Sequence, residues 1–213
     1  MRLVPVLPPP GTPGTDLPVR SALPALADAL SARGSAVLVA PPGTGKTTLV
    51  PLALAGALPG KIVVAEPRRV AARAAARRMA ALLGESVGGR VGYSVRGESR
   101  RSAATRIEVV TTGLLVRRLQ ADPELSGVDA VVLDECHERH LDTDLALAFC
   151  LDVRAALRPD LQLLAMSATA QAQRLAALLG EDGAPSPVVE ATGALHEVDV
   201  VWAPPRPSGS RRC

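Results

Sequence analysis

Short apolar runs alternate with longer stretches rich in Ala, Leu and Arg along most of the chain. The apolar runs predict buried strands at residues 36–40, 61–65, 91–95, 107–110, 130–133 and 161–166. Helices are predicted between them at residues 47–57, 69–83, 113–120, 144–157 and 170–179. Strands that are apolar throughout and separated by helices indicate a mostly parallel sheet with helices on both faces. The sequence therefore predicts a three-layer α/β domain, in which ligands bind beyond the carboxyl ends of the strands.

The first strand leads into a glycine-rich loop. The loop consists of Ala40, Pro41, Pro42, Gly43, Thr44, Gly45, Lys46, Thr47 and Thr48. Glycines let successive backbone N–H groups point inward, and the N-terminus of the next helix completes a phosphate site. Lys46 is then placed to reach the terminal phosphates of a nucleotide, and the Thr47 hydroxyl to bind Mg²⁺. The alternative is an ordinary Gly/Pro-rich turn. It is disfavoured because Lys46 is one of two lysines among 24 Lys and Arg residues, although Ala40 stands where the usual pattern has Gly.

Two carboxylates follow the strand at residues 130–133. Asp134 can hold Mg²⁺ through water, and Glu135 can orient and deprotonate the attacking water. With Thr47, these carboxylates form the predicted Mg²⁺ site. The alternative is an acidic pair that caps the next helix. The catalytic interpretation is favoured because a phosphate loop occurs in the same sheet.

Three further strands also end in polar residues. Ser167, Ala168 and Thr169 follow the strand at 161–166, where small hydroxyl side chains can bind the neighbouring carboxylate strand and report the nucleotide state. Taken alone, this triplet would be an ordinary helix cap.

The other two strand ends suit the phosphates of a polymer backbone. Arg68 and Arg69 follow the strand at 61–65, and Thr111, Thr112 and Gly113 follow the strand at 107–110. Each group lies at a predicted helix N-terminus, which favours anions. Without the other motifs, ordinary βα loops would be the simpler interpretation.

Charge is distributed unevenly over a chain of net charge +3. Residues 61–118 contain thirteen basic and four acidic residues, whereas residues 121–181 are mostly acidic among their charged positions. A segregated basic half indicates an anionic partner. Arginine-rich, solvated helix faces encoded by a GC-rich genome would give the same count, so charge alone leaves both interpretations open.

The remaining composition gives few further clues. Phe, Trp and Tyr occur once each, so Val, Leu and Ala must fill the core. Cys136, Cys150 and Cys213 have no metal-ligand spacing or pairing pattern, which favours reduced thiols and a cytoplasmic location. Prolines interrupt the N-terminal apolar run, so it is neither a signal peptide nor a membrane span.

In order, the motifs AxxGxGKT, EPRRVAA, GYSVRGE, TTG, DECHER and SAT resemble the first RecA-like domain of DEAH-type superfamily 2 RNA helicases. The EPRRVAA segment and the lead-in at residues 17–20 are most similar to the bacterial HrpB subfamily. The resemblance implies a RecA-like phosphate-loop fold and Mg²⁺-dependent ATP hydrolysis. It also implies movement along RNA, or along single-stranded DNA, without sequence preference.

The resemblance also implies roles for single residues. Lys46, Asp134, Glu135 and His137 would be catalytic, with His137 relaying to Ser167, Thr169 and a partner domain. The backbone contacts would come from Arg68, Arg69, Thr111, Thr112 and Gly113. Arg78 would stack on the nucleotide base.

The chain departs from the family pattern in two respects. Cys136 replaces Ala in the DEAH box, where the residue need only be small, so little catalytic effect is expected. No QxxGRxGR-like arginine motif of a second RecA-like domain occurs. We therefore expect a flexible leader at 1–16, an ATP-binding domain at 17–185, and the start of an interdomain segment with a disordered tail at 186–213. The second domain would be supplied in cis or in trans.

Two classes of function follow from this pattern. One is an enzyme, the ATP-hydrolysing half of an RNA helicase. The other is a nucleotide- and RNA-binding module without significant turnover. A different phosphate-loop ATPase, such as a transporter or AAA-type subunit, would not account for EPRRVAA.

Overall fold

The computed structural model describes residues 7–169, 172–181, 183–193 and 202. The helices are α1 (Leu23–Arg33), α2 (Lys46–Ala57), α3 (Arg69–Leu82), α4 (Thr112–Ala121), α5 (Leu141–Ala156) and α6 (Ala172–Leu179). The strands are β1 (Ser35–Val39), β2 (Lys61–Glu66), β3 (Val91–Val95), β4 (Glu98–Arg100), β5 (Ile107–Thr111), β6 (Val128–Leu133), β7 (Gln162–Ser167) and β8 (Val188–Glu190). Two short 3₁₀ helices, Pro18–Ala22 and Cys136–Glu138, precede α1 and α5.

The strands form one eight-stranded sheet in the order β4-β3-β5-β2-β6-β7-β1-β8. All neighbouring strands are parallel except β3 and β4. Since parallel strands need crossover connections, helices join most of them. The carboxyl ends of the parallel strands therefore lie together at one edge.

Helices cover both faces of the sheet, because successive residues of a strand point to opposite faces. In β2, Ile62 and Val64 pack in the hydrophobic cluster that contains residues of α1, α2 and α3. Val63 and Ala65 pack in the cluster that contains residues of α4, α5 and α6. The predicted three-layer fold with an aliphatic core is confirmed, and Tyr93 is the one aromatic side chain among the described buried residues.

All six predicted strands and all five predicted helices are present, and β3 has the predicted ends while the ends of the others are shifted. Residues 170 and 171 of the last predicted helix lie outside the described residues. Helix α1 was not predicted, although its buried Leu23, Leu26 and Leu30 have helical spacing and Gly34, at φ 67°, marks its end. Strands β4 and β8 were not predicted either, because each has three residues and is not fully buried. Local pattern therefore identified the central elements and missed the outer ones.

Both ends of the predicted domain differ from expectation. Part of the predicted leader contacts the domain, since Arg20 Nη2 donates a hydrogen bond to the Pro8 carbonyl at 2.8 Å. The sheet extends beyond the predicted limit at residue 185, because Val189 of β8 pairs with Leu38 of β1. Residues 1–6, 194–201 and 203–213 of the predicted leader and tail lie outside the described residues. Within the part of the chain that the structure describes, none of the helices is both long and apolar enough to cross a membrane.

Candidate nucleotide and nucleic-acid site

The carboxyl ends of five parallel strands lie along one edge of the sheet in the order β1, β7, β6, β2 and β5. The first three strands lead into the phosphate loop, the Ser-Ala-Thr triplet and the carboxylate pair, and we call their ends the nucleotide half. β2 and β5 lead into the Arg68–Arg69 pair and the Thr-Thr-Gly triplet, and we call their ends the basic half. The fold therefore brings the predicted site residues that follow these strands to one edge and sorts them into two adjacent groups.

The phosphate loop has a backbone that depends on glycine. Gly43 and Gly45 have φ values of 80° and 89°. A Cβ added to Gly45 would also lie 2.5 Å from Leu17 Cδ1, so a larger residue is excluded by both strain and space. α2 begins at Lys46, and the N–H groups in the first turn of a helix have no partner within the helix. The loop and the helix end together favour an anion.

Lys46 and Thr47 reach the carboxylate pair on β6. The Thr47 hydroxyl donates a hydrogen bond to Asp134 Oδ2 at 2.6 Å, and Lys46 Nζ lies 3.2 Å from Glu135 Oε1. Asp134 is fully buried and Lys46 is 5% exposed. Because Mg²⁺ prefers hydroxyl, carboxylate and phosphate oxygens, Thr47 and Asp134 are chemically suited to hold it beside a phosphate.

Glu66 is a third carboxylate in the nucleotide half, and the sequence analysis assigned it no role. It ends β2 beside Asp134, is 2% exposed and lines the same cavity as Thr47 and Glu135. Burial raises the pKa of Glu66 to about 9, with further contributions from the charge of Asp134 and a hydrogen bond to it. Glu66 is therefore protonated at neutral pH. The predicted strand stopped one residue short of it, and only the pairing of β2 with β6 shows its location.

A strained turn carries the catalytic candidates between β6 and α5. Glu135 and Arg139, which flank the 3₁₀ helix, have φ values of 53° and 54°. A left-handed backbone at a non-glycine residue costs about 1–3 kcal/mol, so contacts of the surrounding structure must hold it. Such contacts are the Lys46–Glu135 pair and an ion pair between Arg139 Nη2 and Asp144 Oδ2 at 2.9 Å.

His137 links this turn to β7. Its Nδ1 accepts a hydrogen bond from the Ala168 N–H at 3.2 Å and lies 3.4 Å from Glu135 Oε2. The Ser167 hydroxyl instead bonds within its own triplet, where it donates to the Thr169 carbonyl at 3.3 Å. The structure thus connects His137 to the triplet through the Ala168 backbone, whereas the resemblance implied Ser167 and Thr169.

Cys136 fills a small buried position in the same turn. It is 3% exposed, and its thiol donates a hydrogen bond to the Leu133 carbonyl at 3.3 Å. Burial, followed by the charge of Asp134, raises the pKa of the Cys136 thiol to about 12. Since the thiolate is the reactive form, this cysteine acts as a small packing residue.

The basic half is more exposed. The Arg68 side chain is 67% exposed and forms an ion pair with Glu138. Glu138 also lines the cavity that Thr47, Glu66 and Glu135 line, which we call the nucleotide cavity. Arg69 begins α3 and donates a hydrogen bond from Nη2 to the Arg96 carbonyl at 3.1 Å. Thr112 begins α4 and is 2% exposed, so its helix N-terminus rather than its hydroxyl is available to a ligand.

A cavity of about 390 Å³ borders the basic half and is also lined by two arginines to which no role was assigned from the sequence. It is lined by Thr111 and Gly113 together with Arg96 and Arg117. A Cβ added to Gly113 would lie 2.8 Å from Asp142 Oδ2, so the approach to the α4 N-terminus is narrow. Arg96 could have been identified from the sequence because it lies in the GYSVRGE motif. No sequence motif contains Arg117, and only its position on α4 places it at this cavity.

Arg78 lies on α3, outside the loops that follow the strands. A cavity of about 560 Å³ is lined by Arg78, Pro42, Thr48 and Glu135, among others. Arg78 Nη2 also donates a weak hydrogen bond to the Gly14 carbonyl at 3.5 Å. Arg78 thus lines the cavity that the phosphate loop borders.

A parallel sheet that presents a lysine and a threonine of a glycine loop to carboxylates on a nearby strand defines a phosphate-loop nucleotide-binding domain. A profile of the family described as DEAD/DEAH box helicase matches residues 20–178. The chain belongs to this family.

Relatives and solved structures agree with this assignment. The chain is 48% identical over 192 residues to "ATP-dependent RNA helicase HrpB" of Escherichia coli strain K12, a match that covers 89% of this chain and 23% of the relative. It is 38% identical over 162 residues to "Probable ATP-dependent RNA helicase DHX34" of Homo sapiens, covering 76% of this chain and 14% of the relative. The crystal structure of Escherichia coli DEAH/RHA helicase HrpB matches with 51% identity and a TM-score of 0.78, covering 84% of this chain and 22% of that one. The chain thus spans less than a quarter of the length of these relatives.

Proposed function

We propose that this chain binds and hydrolyses ATP with Mg²⁺ and couples that site to RNA held at the basic half. The observation that carries the proposal is the pair of contacts from the phosphate loop to β6, Thr47 to Asp134 and Lys46 to Glu135. These contacts join the residues that bind phosphate to those that bind a cation and activate water. The names of the relatives, ATP-dependent RNA helicases, support the same conclusion.

Each residue of the nucleotide half then has a role. The phosphate loop, from Ala40 to Thr48, holds the phosphates with its backbone, and Lys46 neutralises their charge. Thr47 and Asp134 hold Mg²⁺, which would neutralise charge that develops on the phosphates. Glu135 orients the attacking water and accepts its proton.

Two further groups complete this proposed nucleotide site. The His137 link to the triplet of Ser167, Ala168 and Thr169 joins the catalytic turn to β7. Arg78 stacks on the nucleotide base, because a guanidinium plane binds an aromatic face without requiring a particular base.

RNA would contact the basic half through phosphates and sugars. Arg68, Arg69 and the α4 N-terminus with Thr111, Thr112 and Gly113 offer cations and helix dipoles. Arg96 and Arg117 extend this surface along the cavity that they line. With three aromatic residues in the chain, base stacking is scarce, so binding should be indifferent to sequence and steeply salt-dependent.

In a complete helicase, movement along RNA would require a second RecA-like domain, in cis or in trans, that closes over this edge. Single-stranded DNA offers the same phosphates and is a second candidate strand. We place the reaction in the cytoplasm, where ATP and RNA occur together. The domain limits 17–185 predicted from sequence remain a proposal, with β8 added to the folded unit.

The proposal is tested by replacing Lys46 and measuring ATP binding by calorimetry in the presence of Mg²⁺. Lys46→Ala should weaken binding roughly 30-fold or more, since a buried charge partner of the phosphates is lost. Lys61→Ala is the matched control, because Lys61 begins β2 at the opposite end of the sheet. Circular dichroism checks that both variants fold. Equal binding by Lys46→Ala and the parent would overturn the proposed nucleotide site.

A further inference from the structure

One side chain, Glu138, joins the two halves of the site. Its Oε1 forms the ion pair with Arg68 Nη2, and its Oε2 lies 2.8 Å from His140 Nε2. Arg68 follows β2 and Glu138 follows β6, and these strands are neighbours in the sheet. The contact therefore crosses the boundary between the basic half and the nucleotide half.

Glu138 belongs to the strained turn that carries Glu135. The turn is flanked by the left-handed residues Glu135 and Arg139, so its shape depends on contacts made from outside. The ion pair with Arg68 is one such contact, and it comes from the basic half. Whatever takes Arg68 away from Glu138 thus removes a restraint on the turn that holds the proposed base.

The two partners differ in how accessible they are. The Arg68 side chain is 67% exposed, whereas that of Glu138 is 22% exposed. Partial burial tends to raise the pKa of Glu138, but the His140 hydrogen bond and the charge of Arg68 outweigh it and leave the pKa lowered. Glu138 is therefore an ionised carboxylate beside an exposed arginine side chain. An RNA phosphate that approaches Arg68 must displace this carboxylate or lie next to its negative charge, which is unfavourable.

We propose that Glu138 masks Arg68 in the RNA-free domain, and that an RNA phosphate must displace Glu138 to bind there. This inference rests on the proposed RNA contact of Arg68. Displacement would release the catalytic turn from the basic half, so the ion pair is a built-in connection between the RNA and the nucleotide. Glu138 is a positioning residue in this scheme, since it acts through Arg68 and through the turn that carries Glu135.

The test measures affinity for fluorescently labelled oligouridine by anisotropy at low salt. Glu138→Gln should bind RNA roughly two- to five-fold more tightly than the parent, the size expected from an exposed ion pair. Glu138→Asp keeps the charge but shortens the reach to Arg68, and should give a smaller gain. Asp152→Asn is the control for net charge, because Asp152 is an exposed carboxylate in the second half of α5. It should leave the affinity unchanged.

The Arg68→Ala background separates masking from a general charge effect. Arg68→Ala alone should weaken RNA binding, and adding Glu138→Gln to it should restore nothing. An equal gain from Glu138→Gln in both backgrounds, or no gain in either, would overturn the masking while leaving Arg68 as an RNA contact. Arg68→Ala that binds RNA as tightly as the parent would overturn the proposed contact itself, and the masking with it. Thermal unfolding of each variant confirms that it is folded.

Discussion

The two halves of the sheet edge would offer a ligand different physical surroundings. In the nucleotide half, Asp134 is fully buried and Lys46 is 5% exposed. Lys46 already faces Glu135, and Thr47 already bonds to Asp134. In the basic half, Arg68 is 67% exposed, and Arg69 donates to a neighbouring carbonyl at the surface. One half is thus preorganised and shielded from solvent, whereas the other is solvated and adjustable.

This difference predicts how each half responds to change. Buried, preorganised charges act at low effective dielectric, so a single substitution there has a large effect that salt screens little. Each exposed arginine contributes a small, additive amount to the free energy of RNA binding, and salt screens this contribution strongly. The largest effects should therefore come from the nucleotide half, and the basic half should lose affinity in small steps.

Removing the proposed base should give the largest effect. Glu135→Gln keeps the shape and an oxygen for Lys46 but cannot accept a proton, so hydrolysis should fall ~10²- to 10⁴-fold while ATP binding persists. Single-turnover phosphate release measures the first quantity, and calorimetric titration of the same variant measures the second. Hydrolysis at the parent's rate would assign the base to another group.

Replacing Glu66 should have an intermediate effect, which is on the stability of the fold and depends on pH. With its pKa raised from 4.5 to about 9, the folded state keeps a proton that the unfolded state loses. The contribution of Glu66 to the free energy of unfolding is therefore fully present below about pH 4.5 and is lost as the pH rises towards 9. Glu66→Gln does not titrate, so it should be more stable than the parent by about 1–3 kcal/mol near pH 7–8 and equal to it near pH 4.

Urea unfolding with EDTA measures this difference at each pH without bound metal. Glu124→Gln is the control, because Glu124 is exposed in the loop between α4 and β6. A stability difference between Glu66→Gln and the parent that does not change with pH would show that Glu66 ionises normally in the folded state.

A single arginine beside the basic half should have the smallest effect on RNA affinity. Arg117→Ala should weaken binding of all RNA sequences by roughly two- to five-fold and reduce the salt slope by about one. Anisotropy titrations over a series of salt concentrations measure both quantities. Arg174→Ala removes an exposed arginine from α6 and is the matched control. A loss confined to one RNA sequence would show base recognition in place of phosphate contact.

The sequence predicted best those features that depend on contiguous residues. The phosphate loop is one segment in which a strand, two glycines and a helix start follow each other, so Lys46 and Thr47 could be assigned before their partners were known. The central strands could be predicted because they are buried on both faces and lack polar alternation.

The features that were missed depend on distant parts of the chain. Glu66 is protonated because β2 lies beside β6, which brings Asp134 next to it. Arg68 and Glu138 are 70 residues apart, and only the strand order brings them together. Arg96 reaches the α4 N-terminus because β3 is the neighbour of β5. Strand order was not predicted from the sequence, so contacts that follow from it could not be predicted either.

The two outermost strands of the described sheet, β4 and β8, have three residues each, whereas the central strands have five or six. An unpaired strand is a template on which another polypeptide can add and start aggregation. Short edges offer few backbone groups for such addition, and β4 also carries Glu98 and Arg100, whose charges oppose it. The fold thus keeps its long apolar strands away from intermolecular pairing.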